Sequence, residues 1–273
     1  MAGRRAAVLG KPIAHSLSPA IHNAGYAAAG LAGWSYTAIE CAEAELPGLL
    51  AGLGPEWAGL SLTMPLKVAA LAVAAEIAPL AAATGAANTL VRRGDGGWHA
   101  DNTDVSGMVE VLRAAGVRDR PTVTVLGAGG TARAALAAAA RLHAPLVIVA
   151  ARRAGAVEEL RGAAEALGVP LAGVPWPDAA VHADADAVVS TVPRGGADAL
   201  AGVIDWRRAT VLLDALYDPW PTPLAAAARA AGCRVASGLD LLLAQAVGQF
   251  ELFTGVPAPV DAMRAALRAA RRP

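Results

Sequence analysis

The sequence predicts a protein of the α/β class with two domains. Strand-length apolar runs alternate with helix-length runs in the N-terminal half, as in RAAVLG followed by SPAIHNAGYAAAG and WSYTAIE followed by AEAELPGLLAGL. Such alternation is typical of a mostly parallel sheet with crossover helices. A second series of the same kind begins at PTVTVLGAGG, and 273 residues are enough for two medium domains with their own cores.

The N-terminal domain is predicted to contain a mostly parallel, mixed sheet. Its third strand–helix pair is GLSLT followed by PLKVAALAVAAE, where Pro65 suits the first position of a helix because its φ is fixed and it lacks an N–H. The stretch ANTLVRRGDGGWHA then predicts two short strands around a Gly-Asp-Gly-Gly turn, which is a hairpin inserted in the series.

The second series predicts one Rossmann-type domain. Strand-like segments at LVIVAAR, DAVVSTVP, TVLLDAL and CRVAS are separated by helical patterns. The helix DVSGMVEVLRAAG leads into this series, and the pattern is wholly helical from Leu239 onward. We therefore expect residues 1–104 and 239–273 to form one domain and residues 105–238 to form the other.

Composition excludes several classes of protein. Hydrophobic residues make up 55% and charged residues 17% of the chain, which is typical of a globular protein and unlike a disordered one. Lys plus Arg equals Asp plus Glu at 23 each, so nothing indicates a nucleic-acid or anionic-membrane surface. Cys41 and Cys233 lie far apart without metal-ligand spacing. We expect a cytoplasmic protein with no metal, no membrane span and no nucleic-acid partner.

The sharpest motif is VTVLGAGGTARAALAAAA, in which a strand runs through a glycine-rich turn into a helix. Gly127, Gly129 and Ala132 match the pattern G-x-G-x-x-G/A, where the glycines allow a tight turn and close approach of a pyrophosphate to the backbone. The phosphates would lie at the helix N-terminus. The residues expected to contact a dinucleotide are Gly127, Ala128, Gly129, Gly130, Thr131 and Ala132, with Thr191 and Gly238 after later strands.

The end of the next strand indicates which dinucleotide is bound. NAD-binding proteins usually carry an acidic residue there, which holds the ribose 2′-hydroxyl. This strand ends VIVAARR, with Arg152 and Arg153 in place of a carboxylate. Because a guanidinium pairs well with a phosphate, the sequence favours NADP.

Two hydroxyl-bearing segments precede predicted helices in the first domain. Ser16 and Ser18 in AHSLSPAIHN point the same way in an extended chain, although Ser18 also suits a helix N-cap. In GLSLTMPLK, Ser61 and Thr63 share one face of a strand that would normally be apolar on both faces. Lys67 follows in the first turn of a helix, where the macrodipole disfavours a cation by roughly 0.3–1 kcal/mol. These features suggest a site at the carboxyl edge of the sheet, whereas the alternative is an exposed lysine on a surface helix.

Three further polar residues belong to the same prediction. Asp104 is a good N-cap for a helix beginning at Val105 and is also a candidate partner for Lys67. Asn88 precedes the hairpin, and Gln245 lies in the apolar helix SGLDLLLAQA, where a buried amide needs a hydrogen-bond partner.

Together these segments resemble the shikimate dehydrogenase family of NADP-dependent enzymes. The resemblance covers essentially the whole chain, in order, through SLSPAIHN, SLTMPLK, GAANTL, DNTDVSG, GAGGTARA, the arginine after the next strand, LYDPWPTPL and SGLDLLLAQA. It implies a substrate domain and an NADP domain with the active site in the cleft between them. The reaction it implies is reversible reduction of 3-dehydroshikimate to shikimate, in the pathway to chorismate and the aromatic amino acids.

The resemblance also implies residue roles. Lys67 and Asp104 would be the catalytic pair, and Arg152 would contact the 2′-phosphate. Arg153 is not part of the family pattern and is expected to compensate beside Arg152 for the polar neighbours that the chain lacks. The residues implied to contact a small-molecule substrate are Ser16, Ser18, Ser61, Thr63, Asn88, Tyr217 and Gln245.

The chain departs from the family pattern at two places. Ser61 stands where the family commonly has asparagine, and its shorter hydroxyl can still donate one hydrogen bond. Ala151-Arg152-Arg153 replaces the usual Asn-Arg-Thr, which keeps the charge of Arg152 but loses its polar neighbours.

Other functions remain open at this stage. The nearest is a quinate or aminoshikimate dehydrogenase of the same family. More distant ones are a non-catalytic NADP-sensing protein and a folate- or amino-acid-linked dehydrogenase, which would leave the paired serines unexplained. The sequence does not distinguish a monomer from a homodimer, nor whether Lys67 or Asp104 transfers the proton.

Overall fold

The computed structural model describes residues 3–271, which form two compact units. The first unit contains the residues up to Asp104 and those from Leu242 onward, and the second unit is Val105–Leu241. Within residues 3–271, no helix combines the length and apolar character that crossing a bilayer requires.

Residues 3–271 form two six-stranded sheets, one in each unit. The strands of the first unit are β1 Arg4–Gly10, β2 Trp34–Glu40, β3 Trp57–Leu62, β4 Glu76–Ile77, β5 Thr89–Arg92 and β6 Trp98–Asp101. Those of the second are β7 Val123–Leu126, β8 Val147–Ala151, β9 Leu171–Pro175, β10 Ala187–Ser190, β11 Val211–Asp214 and β12 Arg234–Ser237.

The described part of the chain also contains ten α-helices and four short 3₁₀ helices. The α-helices are α1 Ser18–Ala28, α2 Leu46–Ala51, α3 Leu66–Val73, α4 Pro79–Thr84, α5 Thr103–Ala114, α6 Gly130–Arg141, α7 Ala154–Leu167, α8 Pro223–Ala230, α9 Gly238–Thr254 and α10 Val260–Ala270. The limits of the two units fall inside α5 and α9.

The first sheet is mixed, in the order β2–β1–β3–β5–β6–β4. β1 pairs in parallel with β2 and β3, whereas β5 pairs antiparallel with both β3 and β6. The hairpin that the Gly-Asp-Gly-Gly turn predicts is therefore confirmed as β5 and β6. All six residues of β3 are buried, because α1 and the C-terminal helices cover one face of the sheet and α2 and α3 cover the other.

The second sheet is entirely parallel, in the order β12–β11–β10–β7–β8–β9. Read from the other end, this is the usual strand order of a doubly wound sheet, so the predicted Rossmann-type domain is confirmed. Strand order reverses between β7 and β10, and ligands of such sheets bind beyond the carboxyl ends of the strands at that point. Gly127 follows β7 there, and Thr191 follows β10.

Several local predictions need correction. The helix expected to continue to Glu76 ends at Val73, because the backbone that follows pairs with β6 and forms β4. β9 was not foreseen from its sequence, LAGVP, and forms by pairing with β8. Ser18 is the first residue of α1 and makes no side-chain cap, and Asp104 is the second residue of α5 and does not precede the helix.

Candidate active site

Lys67 and Asp104 form an ion pair within the first unit. Lys67 lies in the first turn of α3, and its Nζ is 2.5 Å from Oδ2 of Asp104 in the first turn of α5. Their side chains are 14% and 8% exposed, so water has only limited access to the two charges. The carboxylate thus stabilises an ammonium that the end of α3 disfavours.

The second oxygen of the Asp104 carboxylate is held by Asn88. Nδ2 of Asn88 donates to Oδ1 of Asp104 at 2.9 Å, so the two carboxylate oxygens face different donors. The backbone of Asn88 bridges two strands, because its C=O accepts from the N–H of Leu62 and its N–H donates to the C=O of Asp101. Asn88 therefore ties the catalytic candidates to the ends of β3 and β6.

Gln245 approaches the same amide from α9. Its Oε1 lies 3.4 Å from Nδ2 of Asn88, and its Nε2 donates to the C=O of Leu242 at 2.7 Å. The partner that a glutamine in this apolar helix requires is thus supplied partly by Asn88 and partly by its own helix.

Ser16, Ser18 and Thr63 lie at the carboxyl edge of the first sheet. Oγ of Ser16 accepts from the N–H of Ser18 at 3.3 Å, in the segment between β1 and α1. Thr63 follows β3, and its methyl group lies so close to Gly10, the last residue of β1, that a Cβ there would be 2.4 Å away. The structure thus brings these hydroxyl-bearing segments to adjacent strand ends.

Ser61 lies in the core of the first unit and is 4% exposed. Its hydroxyl accepts from Tyr36 at 2.6 Å and donates to Oε1 of Gln249 at 2.7 Å. The hydroxyl of Ser61, which was expected to contact a substrate, therefore donates its single proton to another side chain of the protein.

A buried histidine adjoins this hydrogen-bonded group. The ring of His22 stacks on that of Tyr36, with 4.1 Å between centroids and 5° between planes. Burial lowers the pKa of His22 to about 3, and the nearby Gln249 side chain offsets only part of that decrease. Neither ring nitrogen has a hydrogen-bond partner among the described residues, so His22 is a neutral core residue.

The glycine turn of the second unit has the geometry that a dinucleotide requires. Gly127 has φ +105°, and a Cβ there would lie 2.6 Å from Oγ1 of Thr191, so no other residue type fits without strain. Gly129 immediately precedes α6, and a Cβ at this position would meet only open space. The first turn of α6 carries no acidic side chain, so its N–H groups can face an anion.

The two arginines follow the strand next to this turn. β7 and β8 are parallel neighbours, and the N–H of Gly127 donates to the C=O of Ala150 near the end of β8. Arg152 and Arg153 are both exposed there, and Arg153 lies 3.7 Å from Glu159. A phosphate on the ribose of a bound dinucleotide fits this cationic strand end.

Gly238 lies against the segment that directly precedes Tyr217 in the second unit. A Cβ on Gly238 would be 2.1 Å from the C=O of Ala215, and the N–H of Gly238 donates to Leu216 at 3.1 Å. The loop that carries Tyr217 is therefore held against the start of α9. Burial, with a smaller effect of Asp218, raises the pKa of the half-buried Tyr217.

The structure groups the candidate residues within each unit. Lys67, Asp104, Asn88 and Gln245 form one contiguous hydrogen-bonded group, and Gly127 adjoins Thr191 in the other unit. Sequence reasoning missed Thr103, whose N–H donates to Oδ1 of Asn88 at 2.8 Å, and Gln249. Gln249 follows Gln245 by one helical turn on an apolar helix, which is a signal that could have identified it.

The chain is similar to known proteins over most of its length. Residues 8–90 match the family model for the shikimate dehydrogenase substrate-binding domain, and residues 238–268 match that for the shikimate 5′-dehydrogenase C-terminal domain. A shikimate dehydrogenase (NADP(+)) of Anaeromyxobacter sp. strain K is 39% identical over 269 residues, which is 96% of this chain and 95% of the relative.

Two crystal structures show the same similarity. The shikimate dehydrogenase of Mycobacterium tuberculosis is 47% identical with a TM-score of 0.86, and the match covers 97% of this chain and 99% of that one. The enzyme of Thermus thermophilus, in complex with NADP(H) and shikimate, is 33% identical with a TM-score of 0.84 over 98% and 99% of the two chains. With matches that span nearly its whole length, this chain belongs to the shikimate dehydrogenase family.

Proposed function

We propose that this protein catalyses the reversible, NADP-dependent interconversion of shikimate and 3-dehydroshikimate. The observation that carries the proposal is the Lys67–Asp104 ion pair, with 2.5 Å between Nζ and Oδ2. The same chain has a glycine turn suited to a dinucleotide, and two arginines follow the next strand. Burying the charges of Lys67 and Asp104 costs free energy, because their side chains are only 14% and 8% exposed. A role in catalysis explains why such a pair is present.

The two units have different roles in this proposal. The first unit binds the substrate through hydroxyl and amide side chains at the edge of its sheet, namely Ser16, Ser18, Thr63 and Gln245. Shikimate offers a carboxylate and ring hydroxyls, which such donors and acceptors can recognise. We assign Ser61 and Asn88 to the support of this site, because both are buried and engaged in internal hydrogen bonds. Tyr217 of the second unit is proposed to contact the substrate.

The second unit would hold NADP. Gly129 leaves the backbone of the turn accessible to the pyrophosphate, and Gly127 allows the tight turn beside Thr191 at the strand-order reversal. Arg152 would pair with the 2′-phosphate, and Arg153 would add charge nearby. The absence of a carboxylate at the end of β8 removes the group that would select NAD.

The chemistry divides between cofactor and protein. When bound, NADPH supplies the hydride that reduces the C3 carbonyl carbon of 3-dehydroshikimate. Lys67 stabilises the negative charge that develops on the carbonyl oxygen and donates a proton from Nζ to it, which yields the hydroxyl of shikimate. In the reverse direction, Nζ takes this proton back. Such acid–base assistance typically contributes about 10²–10⁴-fold to the rate.

Asp104 keeps Lys67 in position during this cycle. One carboxylate oxygen accepts from Nζ and the other accepts from Asn88, so the carboxylate has little freedom to rotate away. Its charge also compensates the ammonium when the substrate excludes water from the site.

The proposal is tested by an assay of the purified protein with shikimate or quinate, each with NADP or NAD, followed by the absorbance of the reduced nicotinamide. We expect shikimate with NADP to give the highest kcat/KM of the four combinations. A higher kcat/KM for quinate would contradict the substrate assignment, and a higher kcat/KM with NAD would contradict the role of Arg152. Absence of turnover with all four would contradict the proposed activity.

A further inference from the structure

Gln249 is a buried residue in the middle of a hydrogen-bond chain. It contacts Ser61 on one side and Asn88 and Thr89 on the other. Its Oε1 accepts from the hydroxyl of Ser61 at 2.7 Å, and its Nε2 donates at 3.1 Å to the C=O of Asn88 and to Oγ1 of Thr89. Gln249 is 1% exposed, so it cannot meet a substrate directly. Its amide nevertheless makes three hydrogen bonds, which is unusual in a helix otherwise as apolar as α9.

The donors and acceptors in this chain can be assigned without ambiguity. The C=O of Asn88 can only accept, so the amide nitrogen of Gln249 must face it and the amide oxygen must face Ser61. Ser61 then has to donate to Gln249, and its remaining contact, the hydroxyl of Tyr36, has to donate to Ser61. One backbone carbonyl thereby sets the direction of three successive side chains.

The direction continues to the carboxylate of Asp104. The hydroxyl of Thr89, which accepts from Gln249, donates to Oδ1 of Asn88 at 2.8 Å. The backbone N–H of Thr103 also donates to this oxygen at 2.8 Å, and because that group can only donate, Nδ2 of Asn88 must face Asp104. An unbroken series of donors therefore points toward the carboxylate that holds Lys67. Branches lead from Gln249 to the C=O of Asn88, and from Nδ2 of Asn88 to Thr103 and Gln245.

This hydrogen-bond chain orients side chains and does not conduct protons. Its first donor is Tyr36, and burial raises the pKa of that hydroxyl above its usual value, so the hydroxyl keeps its proton. Aligned donors polarise one another, and they hold the carboxylate at the end of the hydrogen-bond chain in one orientation.

We propose that Gln249 is a positioning residue for the Lys67–Asp104 pair, acting through Thr89 and Asn88, with Ser61 and Tyr36 fixing the orientation of its amide. The inference rests on the proposed function, since it concerns the turnover of that same site. Gln249 touches neither substrate nor cofactor in this role. Its loss should therefore lower kcat while the KM values for shikimate and NADP stay nearly constant.

The first test is Gln249→Met, which keeps the length of the side chain and removes its hydrogen bonds. We expect kcat to fall about 10-fold, the order expected when one or two hydrogen bonds that position a reacting group are lost. Both KM values should stay within about twofold. A wild-type kcat, or a loss confined to KM, would overturn the positioning role.

Two matched tyrosine variants distinguish an effect of the hydrogen-bond chain on kcat from an effect of core packing. Tyr36→Phe removes the first donor, whereas Tyr26→Phe removes a hydroxyl that is equally buried and has no hydrogen-bond partner among the described residues. We expect Tyr36→Phe to lower kcat a few-fold and Tyr26→Phe to leave it unchanged. Equal effects of the two variants would show that only packing is involved.

The double variant tests whether the two residues act in series. Because the effect of Tyr36 passes through Gln249, adding Tyr36→Phe to Gln249→Met should change kcat no further. If the kcat loss of the double variant equals the product of the two single losses, the two residues act independently, which would contradict their action in series. Thermal melting of each variant checks that a lowered kcat does not come from unfolded protein.

A measurement without substrate or cofactor keeps this inference distinct from the proposed function. In amide NMR spectra, the side-chain protons of Asn88 should exchange slowly with water in the wild type and faster in Gln249→Met. Unchanged exchange would overturn the inference, even if shikimate turnover is confirmed. Conversely, the expected NMR change in a protein without any shikimate turnover would retain the hydrogen-bond chain and refute the proposed function.

Discussion

Lys67 and Asp104 are 37 positions apart in the chain, and their side chains form an ion pair with 2.5 Å between Nζ and Oδ2. A second donor, Nδ2 of Asn88, holds the other carboxylate oxygen at 2.9 Å. The carboxylate of Asp104 thus holds the ammonium of Lys67 in place, and Asn88 in turn holds the carboxylate. This arrangement suits a group that must meet a developing negative charge in one defined position.

The role of Lys67 can be tested against the only other lysine in the sequence. We expect Lys67→Ala to retain the fold and NADP binding but to lose at least about 10²-fold in kcat, because it removes the proton donor to the carbonyl oxygen. Lys11 is exposed and lies 3.7 Å from Glu40, so Lys11→Ala is the matched control and should leave turnover unchanged. Steady-state kinetics and an NADP titration measure both effects. Normal turnover of purified Lys67→Ala would exclude this lysine from the chemistry.

The adjacent arginines of the second unit should differ in effect. We expect Arg152→Ala to raise the KM for NADP about 10–100-fold, the value of one or two charge-assisted hydrogen bonds, with little change in the KM for shikimate. Arg153 is 73% exposed at its side chain and lies near Glu159, so Arg153→Ala should have a smaller effect. Initial rates at varied NADP and varied shikimate separate the two constants. Equal changes in both KM values for Arg152→Ala would contradict a contact with the 2′-phosphate.

Two glycines of the same turn should separate folding from binding. Gly127→Ala forces a side chain into φ +105° and within 2.6 Å of Thr191, so it should lower the free energy of unfolding by about 1–3 kcal/mol. Gly129→Ala places its methyl in open space and should leave unfolding unchanged, while the methyl obstructs the pyrophosphate and weakens NADP binding. Thermal melting with and without NADP measures both quantities. Undiminished stabilisation of Gly129→Ala by NADP would argue against binding at this turn.

His22 should make stability depend on pH. In the unfolded chain a histidine binds a proton below its usual pKa of 6.5, but burial lowers the pKa of His22 in the folded protein to about 3. The unfolded state therefore binds more protons between these values, and the free energy of unfolding decreases as the pH falls from about 6.5 toward 3.

The variant His22→Phe keeps an aromatic ring against Tyr36 and removes this titration. Between pH 7 and pH 5 the wild type should lose about 2 kcal/mol more stability than the variant does. Urea denaturation at several pH values provides the measurement. Parallel pH dependences of wild type and variant would show that His22 is not kept neutral by burial.

Local sequence patterns predicted most of the secondary structure because their physical causes are local. Alternation of apolar runs, the Gly-Asp-Gly-Gly turn between β5 and β6, and the glycines after β7 act through neighbouring residues. The same reasoning placed the end of α3 three residues too late and missed β9. In both cases backbone pairing with a distant strand decides the structure, and propensity within the segment does not reveal it.

The candidate site divides in the same way. The types of residue needed for the chemistry, including Lys67, Asp104 and the arginines after β8, are visible in the sequence, as is the small-residue turn that a dinucleotide needs. The hydrogen bond that Ser61 donates to Gln249 and the one that Gln249 donates to the C=O of Asn88 join residues 188 and 161 positions apart. Only tertiary packing of α9 against the first sheet brings these groups within 3.1 Å, because a side-chain hydrogen bond depends on the distance between elements that no local pattern encodes.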